Sequence, residues 1–414
     1  ESVHCIVSSP PFWGLRSYSG EQQRVWDAPA EGCEPWTGAL GQEPMVQLYI
    51  AHLMQVMAAL WRVLRPDGVC WINLDDTRQS GSHTGEDGGP KQATNRGASM
   101  VQPKGGLRPK DMALVPERFI LAAQEQGWYV RSKVVWAPPN PMPESASDRP
   151  TDAYQMLYQL VKSERYWWDQ EKIREKPTES TLERVALMDG REKTKASAEL
   201  AGGDMRLHHV KQVADAPGAE SHSYPSYKAG QGAIQSRGQH VDHLVVRPPP
   251  GGRNARNVQT WPTEGLGSFR VNGKTLSHFA AFPRALPLWC IRASCPATCC
   301  GRCGSGYVRI MEKHRDRQTS RGLQLWTRET GQQDNAGGLP KLEVTTLGWC
   351  SACRCSYDTP TEPGLVLDPF IGSGTTALAA QELGRRCWGL DLSPDYIALA
   401  WHRLQRTQPA LMSL

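Results

Sequence analysis

The sequence predicts an α/β protein built on a doubly wound, mostly parallel sheet, and three observations carry that expectation. Near the far end of the chain an apolar run over 365–367 reads as a short buried strand that ends in Asp368-Pro369-Phe370. A glycine pair follows, then a helical stretch from Thr375, then Gly384 placed to stop it, then a second strand over 387–390 ending in Asp391. Strand, glycine turn, helix, strand and acid make half of a nucleotide-binding α/β unit. In the first 140 residues, short apolar strands alternate with amphipathic helical stretches. Finally, an apolar strand over 2–9 runs into Ser9-Pro10-Pro11-Phe12, at a strand end, where open α/β enzymes keep their chemistry.

Taken in order, Tyr49, Leu53, Val56, Leu60 and Val63 recur at helical spacing and predict a helix over 48–64. Arg65-Pro66-Asp67-Gly68 turns the chain into a strand over 69–74. Residues 78–106 are rich in Gly, Ser and Lys and read as a long loop. A helix over 116–126 and a strand over 128–136 follow, and 153–161 with 165–169 look like a hairpin turning at Lys162-Ser163-Glu164. Apolar periodicity then disappears until about Val258, which marks 171–255 as an insertion or small second domain. Helical signal returns over 279–291. In the last helix Ser393 is a good N-cap, Pro394 takes the first position and Asp395 complements the dipole.

At 414 residues the chain holds one large domain with insertions, or two domains. A hydrophobic content of 39% suffices for a core and leaves room for polar insertions. The net charge of +5 is compatible with a polyanionic partner. No apolar run reaches spanning length and no signal-peptide pattern opens the chain, so we expect no membrane partner and a cytoplasmic location. The chain opens on Glu1 with a strand almost at once, so its natural start is expected to lie further upstream. Most of its 12 cysteines crowd between Cys290 and Cys355 in close clusters, which favours metal over disulfides.

The glycine spacing after the 365–367 strand is not that of a dinucleotide fold, and no Lys follows as in a P-loop. Asp368-Pro369-Phe370-Ile371-Gly372-Ser373-Gly374-Thr375-Thr376 instead resembles the S-adenosylmethionine-binding motif of DNA amino-methyltransferases. Ser9-Pro10-Pro11-Phe12 suits the same chemistry. An exocyclic amine of cytosine or adenine is a poor nucleophile because its lone pair is delocalised into the ring. A site must accept hydrogen bonds from that NH₂ group and aim its lone pair at the methyl. The Ser9 oxygen and a proline carbonyl can do so, the two prolines stiffen the loop, and Phe12 can stack on a base taken out of the duplex.

With both motifs in one chain, the sequence is similar to site-specific DNA amino-methyltransferases of the permuted arrangement, in which the catalytic motif precedes the cofactor motif. Leu40-Gly41-Gln42-Glu43-Pro44, Leu64-Arg65-Pro66-Asp67-Gly68, Leu74-Asp75-Asp76-Thr77, Asn140-Pro141-Met142-Pro143-Glu144-Ser145 and Asp148-Arg149-Pro150-Thr151 are also similar to that family. The resemblance implies a seven-stranded Rossmann-like methyltransferase sheet whose last strand is antiparallel. It divides the chain into a catalytic half (1–170), a target-recognition insertion (171–255), a return to the core (256–294), a zinc-ribbon-like insertion (295–358) and the S-adenosylmethionine-binding half (359–414). It implies a catalytic loop of Ser9, Pro10, Pro11 and Phe12, and cofactor contacts from Asp368, Phe370, Gly372, Gly374 and Thr375. Asp391 would take the cofactor ribose, and Phe282, in His278-Phe279-Ala280-Ala281-Phe282-Pro283, would flank its methionine part. The family also places a strand and helix ahead of the catalytic strand, supplying the third strand of the sheet and contacts to the cofactor adenine; this chain begins after that point.

Double-stranded DNA is the implied partner, with a cognate restriction enzyme as a possible second one. Within the resemblance, Ser at the first position of the tetrapeptide favours N4 of cytosine; N6 of adenine is the alternative. A non-catalytic DNA-binding protein derived from a methyltransferase is the reading from another class. Cys300-x-x-Cys303 carries the glycines of a metal knuckle, and Cys350, Cys353 and Cys355 offer its partner. We expect a structural zinc on Cys300, Cys303, Cys353 and Cys355, with Cys350 and Cys299 in reserve, because zinc-ribbon relatives carry a similar Cys-x-Cys.

Overall fold

A computed structural model of the chain describes residues 2–14, 23–28, 34–78, 107–108, 110–141, 143–144, 146–177, 252–277, 282–315, 342–356 and 358–407. The chain divides into two units: Glu1–Arg174 with Asn254–Leu414, and Glu175–Arg253. In the second unit, Glu175 and Arg253 exchange both backbone hydrogen bonds at 2.9 Å and pair their side chains at 2.8 Å. Gly252 closes this clasp with a φ of +103°, where any Cβ would meet the Glu175 carbonyl oxygen. The body of the expected target-recognition insertion lies outside the described residues.

In chain order, the first unit begins with β1 (Val3–Ser8), the hairpin β2 (Arg24–Trp26) and β3 (Trp36–Gly38), and helix α1 (Val46–Val63). Next come β4 (Leu64–Leu74), α2 (Val115–Glu125), β5 (Tyr129–Trp136) and β6 (Gln155–Val161). After the insertion follow β7 (Val258–Gln259), the hairpin β8 (Ser268–Val271) and β9 (Lys274–Ser277), and α3 (Ala285–Ser294). The cysteine region holds β10 (Cys299–Cys300), β11 (Tyr307–Arg315), β12 (Leu342–Ser351) and β13 (Thr361–Glu362). The end of the chain supplies β14 (Leu365–Asp368), α4 (Thr375–Glu382), β15 (Arg386–Gly389) and α5 (Pro394–Arg406).

One seven-stranded sheet, in the order β15-β14-β1-β4-β6-β5-β7, organises the unit. Every neighbouring pair is parallel except the two that β6 makes, with β4 and β5. From β14 the chain winds outward to β15, and from β1 it winds the other way to β4. The carboxyl ends of β14 and β1 therefore flank a switch point, where open α/β sheets bind ligands.

Apolar residues of the helices cover the two faces. Tyr49, Leu53, Met57 and Leu60 of α1 and Phe119 of α2 pack with Ile6, Ile72 and Tyr158 on one face. Leu286, Cys290 and Ile291 of α3 and Ala379 and Ala380 of α4 pack with Val7, Trp71 and Val366 on the other. The turn expected at 65–68 is a bulge inside β4: Val3 pairs with Leu64 and Cys5 already with Val69. The last helix is capped as its sequence predicts, the Ser393 hydroxyl accepting from Tyr396 N at 3.4 Å.

One expectation is corrected. Residues 165–169 are not a strand, and β6 pairs with β5 and β4 instead. Tyr166 and Trp168 turn onto the second core cluster, and Trp167 spends its indole N–H on the Tyr307 carbonyl. The seventh strand of the sheet is β7, at the far edge beside β5, and among the described residues β15 is the other edge.

Candidate active site and metal centre

The expected cofactor loop is built around Asp368, the last residue of β14, whose side chain is buried. Its Oδ1 accepts from the Ser8 hydroxyl at 2.6 Å and from Phe370 N at 3.0 Å, and its Oδ2 accepts from the Thr376 hydroxyl at 2.6 Å. Burial pushes its carboxyl up to about 6 even though these bonds pull it down. Asp368 thus fastens the loop to β1 and to the first turn of α4. Gly372 and Gly374 lie at φ values of +47° and +84°. A Cβ on Gly374 would sit 2.8 Å from the Ala400 methyl, so the glycine serves close packing on α5 as well as the turn.

Asp391 closes the loop from the next strand. Its carboxylate accepts from Gly372 N at 2.9 Å and Ser393 N at 2.8 Å, and burial raises its pKa. From α5, Arg403 donates to the Ser373 carbonyl at 2.6 Å and to the Thr375 hydroxyl at 3.3 Å. Phe370 is half-buried against the first core cluster, and Phe282 is half-buried against the second. Residues 278–281 of the Phe282 motif lie outside the described residues.

The second motif stands beside the first because β1 and β14 are neighbours. Ser9 follows directly on Ser8, the residue that holds Asp368. Its hydroxyl lies 3.3 Å from the Asn73 side-chain oxygen, and Asn73 is anchored on the Met156 carbonyl at 3.2 Å. Pro10 is buried, and Pro11 and Phe12 are half-buried. The Pro11 carbonyl accepts from the Tyr49 hydroxyl at 2.9 Å, and the buried Trp13 donates its indole N–H to the Glu43 carbonyl at 2.9 Å.

At the end of β4, Asp75 accepts from the Gln155 amide at 3.0 Å and from Asp76 N at 2.9 Å. Burial raises its carboxyl to about 6. Its neighbour Asp76 accepts from Leu114 N and Val115 N, so it caps α2. Arg78 and Asp152 pair at 3.1 Å, as do Arg149 and Asp152, and Lys110 and Asp148 at 2.7 Å; all are on the loops around these strand ends.

Sequence reasoning named the catalytic tetrapeptide and the cofactor string, and the sheet brings them together. It gave no role to Ser8, Asn73, Asp75, Thr376 or Arg403. Hydroxyls bordering each motif were a signal for Ser8 and Thr376; Arg403 lies in a helix whose sequence carries no such hint.

The candidate metal site lies at the other end of the strands. Sulfurs of Cys300, Cys303, Cys353 and Cys355 all fall within 4.8 Å of one another. Four thiolates at about 2.3 Å from one ion would be about 3.8 Å apart, so this donor set fits a tetrahedral zinc. Cys299 and Cys350 are outside the cluster. Gly304, at a φ of +71°, lets the knuckle turn, and the knuckle is docked on the sheet through its carbonyls. His4 Nε2 donates to the Gly304 carbonyl at 2.8 Å, while His4 Nδ1 accepts from Leu365 N at 3.0 Å. Arg65 donates to the Cys303 carbonyl at 2.9 Å. His4 and Arg65 stand near the amino ends of β1 and β4. Ser9 stands five positions beyond His4, roughly 16 Å along a strand.

A family model described as DNA methylase, covering N6 and N4 enzymes, matches residues 3–298 and 358–401. The gap between the two matched segments contains all four cysteines of the cluster. The chain is 38% identical over 405 residues to Type II methyltransferase M.Cfr9I of Citrobacter freundii, covering 98% of this chain and 82% of that one. It is 26% identical over 410 residues to Type II methyltransferase M.SmaI of Serratia marcescens, covering 98% and 85%. Among solved structures, a PvuII DNA methyltransferase described as cytosine-N4-specific aligns at 14% identity and a TM-score of 0.43, over 100% of this chain and 82% of that chain.

Proposed function

The chain belongs to the N6/N4 DNA methylase family, and we propose that within it the enzyme methylates N4 of cytosine, using S-adenosylmethionine. The observation that carries this reading is the pairing of Ser9-Pro10-Pro11-Phe12 with the Asp368–Thr376 loop on adjacent strands, tied by Ser8 and Asp368. S-adenosylmethionine, when bound, supplies an electrophilic methyl on a sulfonium. Gly372, Gly374 and Thr375 would line its site, Asp391 would take its ribose, and Phe370 and Phe282 would supply apolar walls. The target base leaves the duplex and stacks on Phe12. Its amine donates to the Ser9 oxygen and to the Pro10 carbonyl. That the Pro11 carbonyl is taken by Tyr49 supports Pro10 as the acceptor. With both bound, the amine nitrogen would form its bond to the methyl carbon as the S–C bond breaks, the electron pair leaving with sulfur as a neutral thioether and the surplus proton on nitrogen passing to solvent water.

Ser rather than Asp at position 9 supports cytosine over adenine, on the family resemblance. Residues 171–255 are read as the target-recognition region, and a cognate restriction enzyme as the partner in the cell. Among the described residues no helix is long and apolar enough to cross a membrane, which is compatible with a cytoplasmic enzyme working on chromosomal DNA. Zinc on Cys300, Cys303, Cys353 and Cys355 is structural: its distance from Ser9 supports a staple rather than a chemical role.

Modification-sensitive sequencing of DNA from cells expressing the protein tests the reading. N4-methylcytosine at one recurring sequence is expected. N6-methyladenine alone would overturn the base assignment, and unmodified DNA would overturn methyl transfer.

A further inference from the structure

Behind the catalytic loop lies a buried pair that the mechanism does not use. Glu43 and His52 are both fully buried, with Glu43 Oε1 accepting from His52 Nδ1 at 2.9 Å. The other carboxylate oxygen accepts from Gly41 N at 2.8 Å. Gly41 is itself pressed against the loop. A Cβ there would be 2.9 Å from the Phe12 carbonyl oxygen and 3.3 Å from that of Pro11, and its φ is +90°. Its carbonyl accepts from Gly14 N at 2.9 Å, just past Trp13, and Trp13 donates to the Glu43 carbonyl. One residue therefore holds both flanks of Phe12-Trp13. The carboxylate fixes the Gly41 peptide, and the main chain fixes the indole.

His52 is oriented in turn. Its ring is stacked against Trp26 and Trp36, at centroid distances of 4.9 and 5.3 Å, and Nε2 finds no hydrogen-bond partner among the described residues. The polar link that fixes the ring is thus the Nδ1 bond to Glu43. A buried carboxylate and imidazole are costly unless each satisfies the other, so their presence at 0% exposure needs a return. The hairpin of β2 and β3 supplies Trp26 and Trp36, so it too acts on the loop from outside the sheet.

We propose that Glu43, oriented by His52 between Trp26 and Trp36, is the positioning residue of the catalytic loop, setting where Phe12 and the preceding proline carbonyls stand. This rests on the reading of Ser9 to Phe12 as the methyl-transfer loop. A geometric brace affects the chemical step rather than cofactor affinity, because the cofactor loop is fixed separately by Asp368, Asp391 and Arg403.

The test compares His52→Asn with His52→Leu in the full chain. Asn can place an N–H where Nδ1 donates; Leu restores apolar volume and no donor. With DNA and S-adenosylmethionine saturating, single-turnover methylation by His52→Asn should stay within about threefold of wild type. His52→Leu should lose on the order of tenfold, the worth of one buried hydrogen bond, with S-adenosylmethionine affinity unchanged. A rate for His52→Leu equal to or above that of His52→Asn overturns the proposal, since packing alone would then explain the pair. If His52→Leu does not fold, Glu43→Gln decides: a drop of about threefold or more at unchanged cofactor affinity supports positioning, and a wild-type rate overturns it. Wild-type protein that transfers no methyl in the same assay would instead refute the proposed function.

Discussion

The hydroxyl of Ser8 donates to the buried carboxylate of Asp368 at 2.6 Å, across 360 positions of sequence. It ties the two halves of the site at their strand ends. Ser8 ends the strand that carries the proposed catalytic loop, and Asp368 ends the strand that carries the proposed cofactor loop. Cofactor and base must meet within a reacting distance of about 3 Å, and this bond sets the spacing of the two strand ends.

Asp368 gives that join a pH dependence. Its carboxyl is raised from 3.8 to about 6, chiefly by burial. The native protein therefore holds this proton more tightly than the unfolded chain. The contribution to stability is present below the unfolded value, and is lost as pH rises through the folded one. Asp368→Asn cannot titrate. In urea melts, the stability difference between wild type and Asp368→Asn should move in favour of wild type as pH falls from about 7.5 to about 5. A difference that stays constant over that range would contradict the assignment.

Gly374 admits no side chain. Alanine there would combine left-handed backbone strain with contact against Ala400. Gly374→Ala should cost about 2–4 kcal/mol of stability and weaken S-adenosylmethionine binding at least about tenfold by calorimetry. Binding as tight as wild type would show that α5 gives way more readily than its packing implies.

Ser9 and Arg403 should separate chemistry from binding. Ser9→Ala removes an acceptor for the base amine and should lower the single-turnover rate by about tenfold or more, leaving cofactor affinity within about twofold. Arg403→Ala releases the Ser373 carbonyl and the Thr375 hydroxyl, and should weaken cofactor binding by a similar factor. The opposite pattern in either variant would reverse their assigned roles.

The cysteine cluster should behave as a staple. Mass spectrometry of the native protein should find about one zinc per chain, and chelation should lower the melting temperature by several degrees. Cofactor affinity should change little, because roughly 16 Å of strand lies between the knuckle and the loop. Chelation that abolished methyl transfer without moving the melting temperature would contradict a structural role.

Much of the fold was legible because its elements carry strong periodicity. Tyr49, Leu53 and Leu60 mark one buried helix face as read, though Met57 rather than Val56 completes it, and the buried run of β14 has a glycine turn behind it. The error at 165–169 has a physical source. Arg165-Tyr166-Trp167-Trp168-Asp169 has the composition of a strand, yet Trp168 lies 6.3 Å from Trp71 over the sheet face instead of joining its edge. The edge strand β7 was illegible because it has two residues and forms through tertiary contacts, such as Val135 N donating to the Asn257 carbonyl at 2.8 Å. In the site, contiguous strings were readable. Arg403, Asn73 and the Glu43–His52 pair were not, since their roles arise only when distant elements meet.

The central claim is tested most directly by incubating the purified chain with duplex DNA and S-adenosylmethionine labelled in its methyl group, then digesting the DNA and separating the nucleosides by mass spectrometry. The account predicts label in N4-methyldeoxycytidine, formed about tenfold or more slowly by the Ser9→Ala variant. Label confined to N6-methyldeoxyadenosine, or N4-methyldeoxycytidine formed as fast by Ser9→Ala, would contradict it.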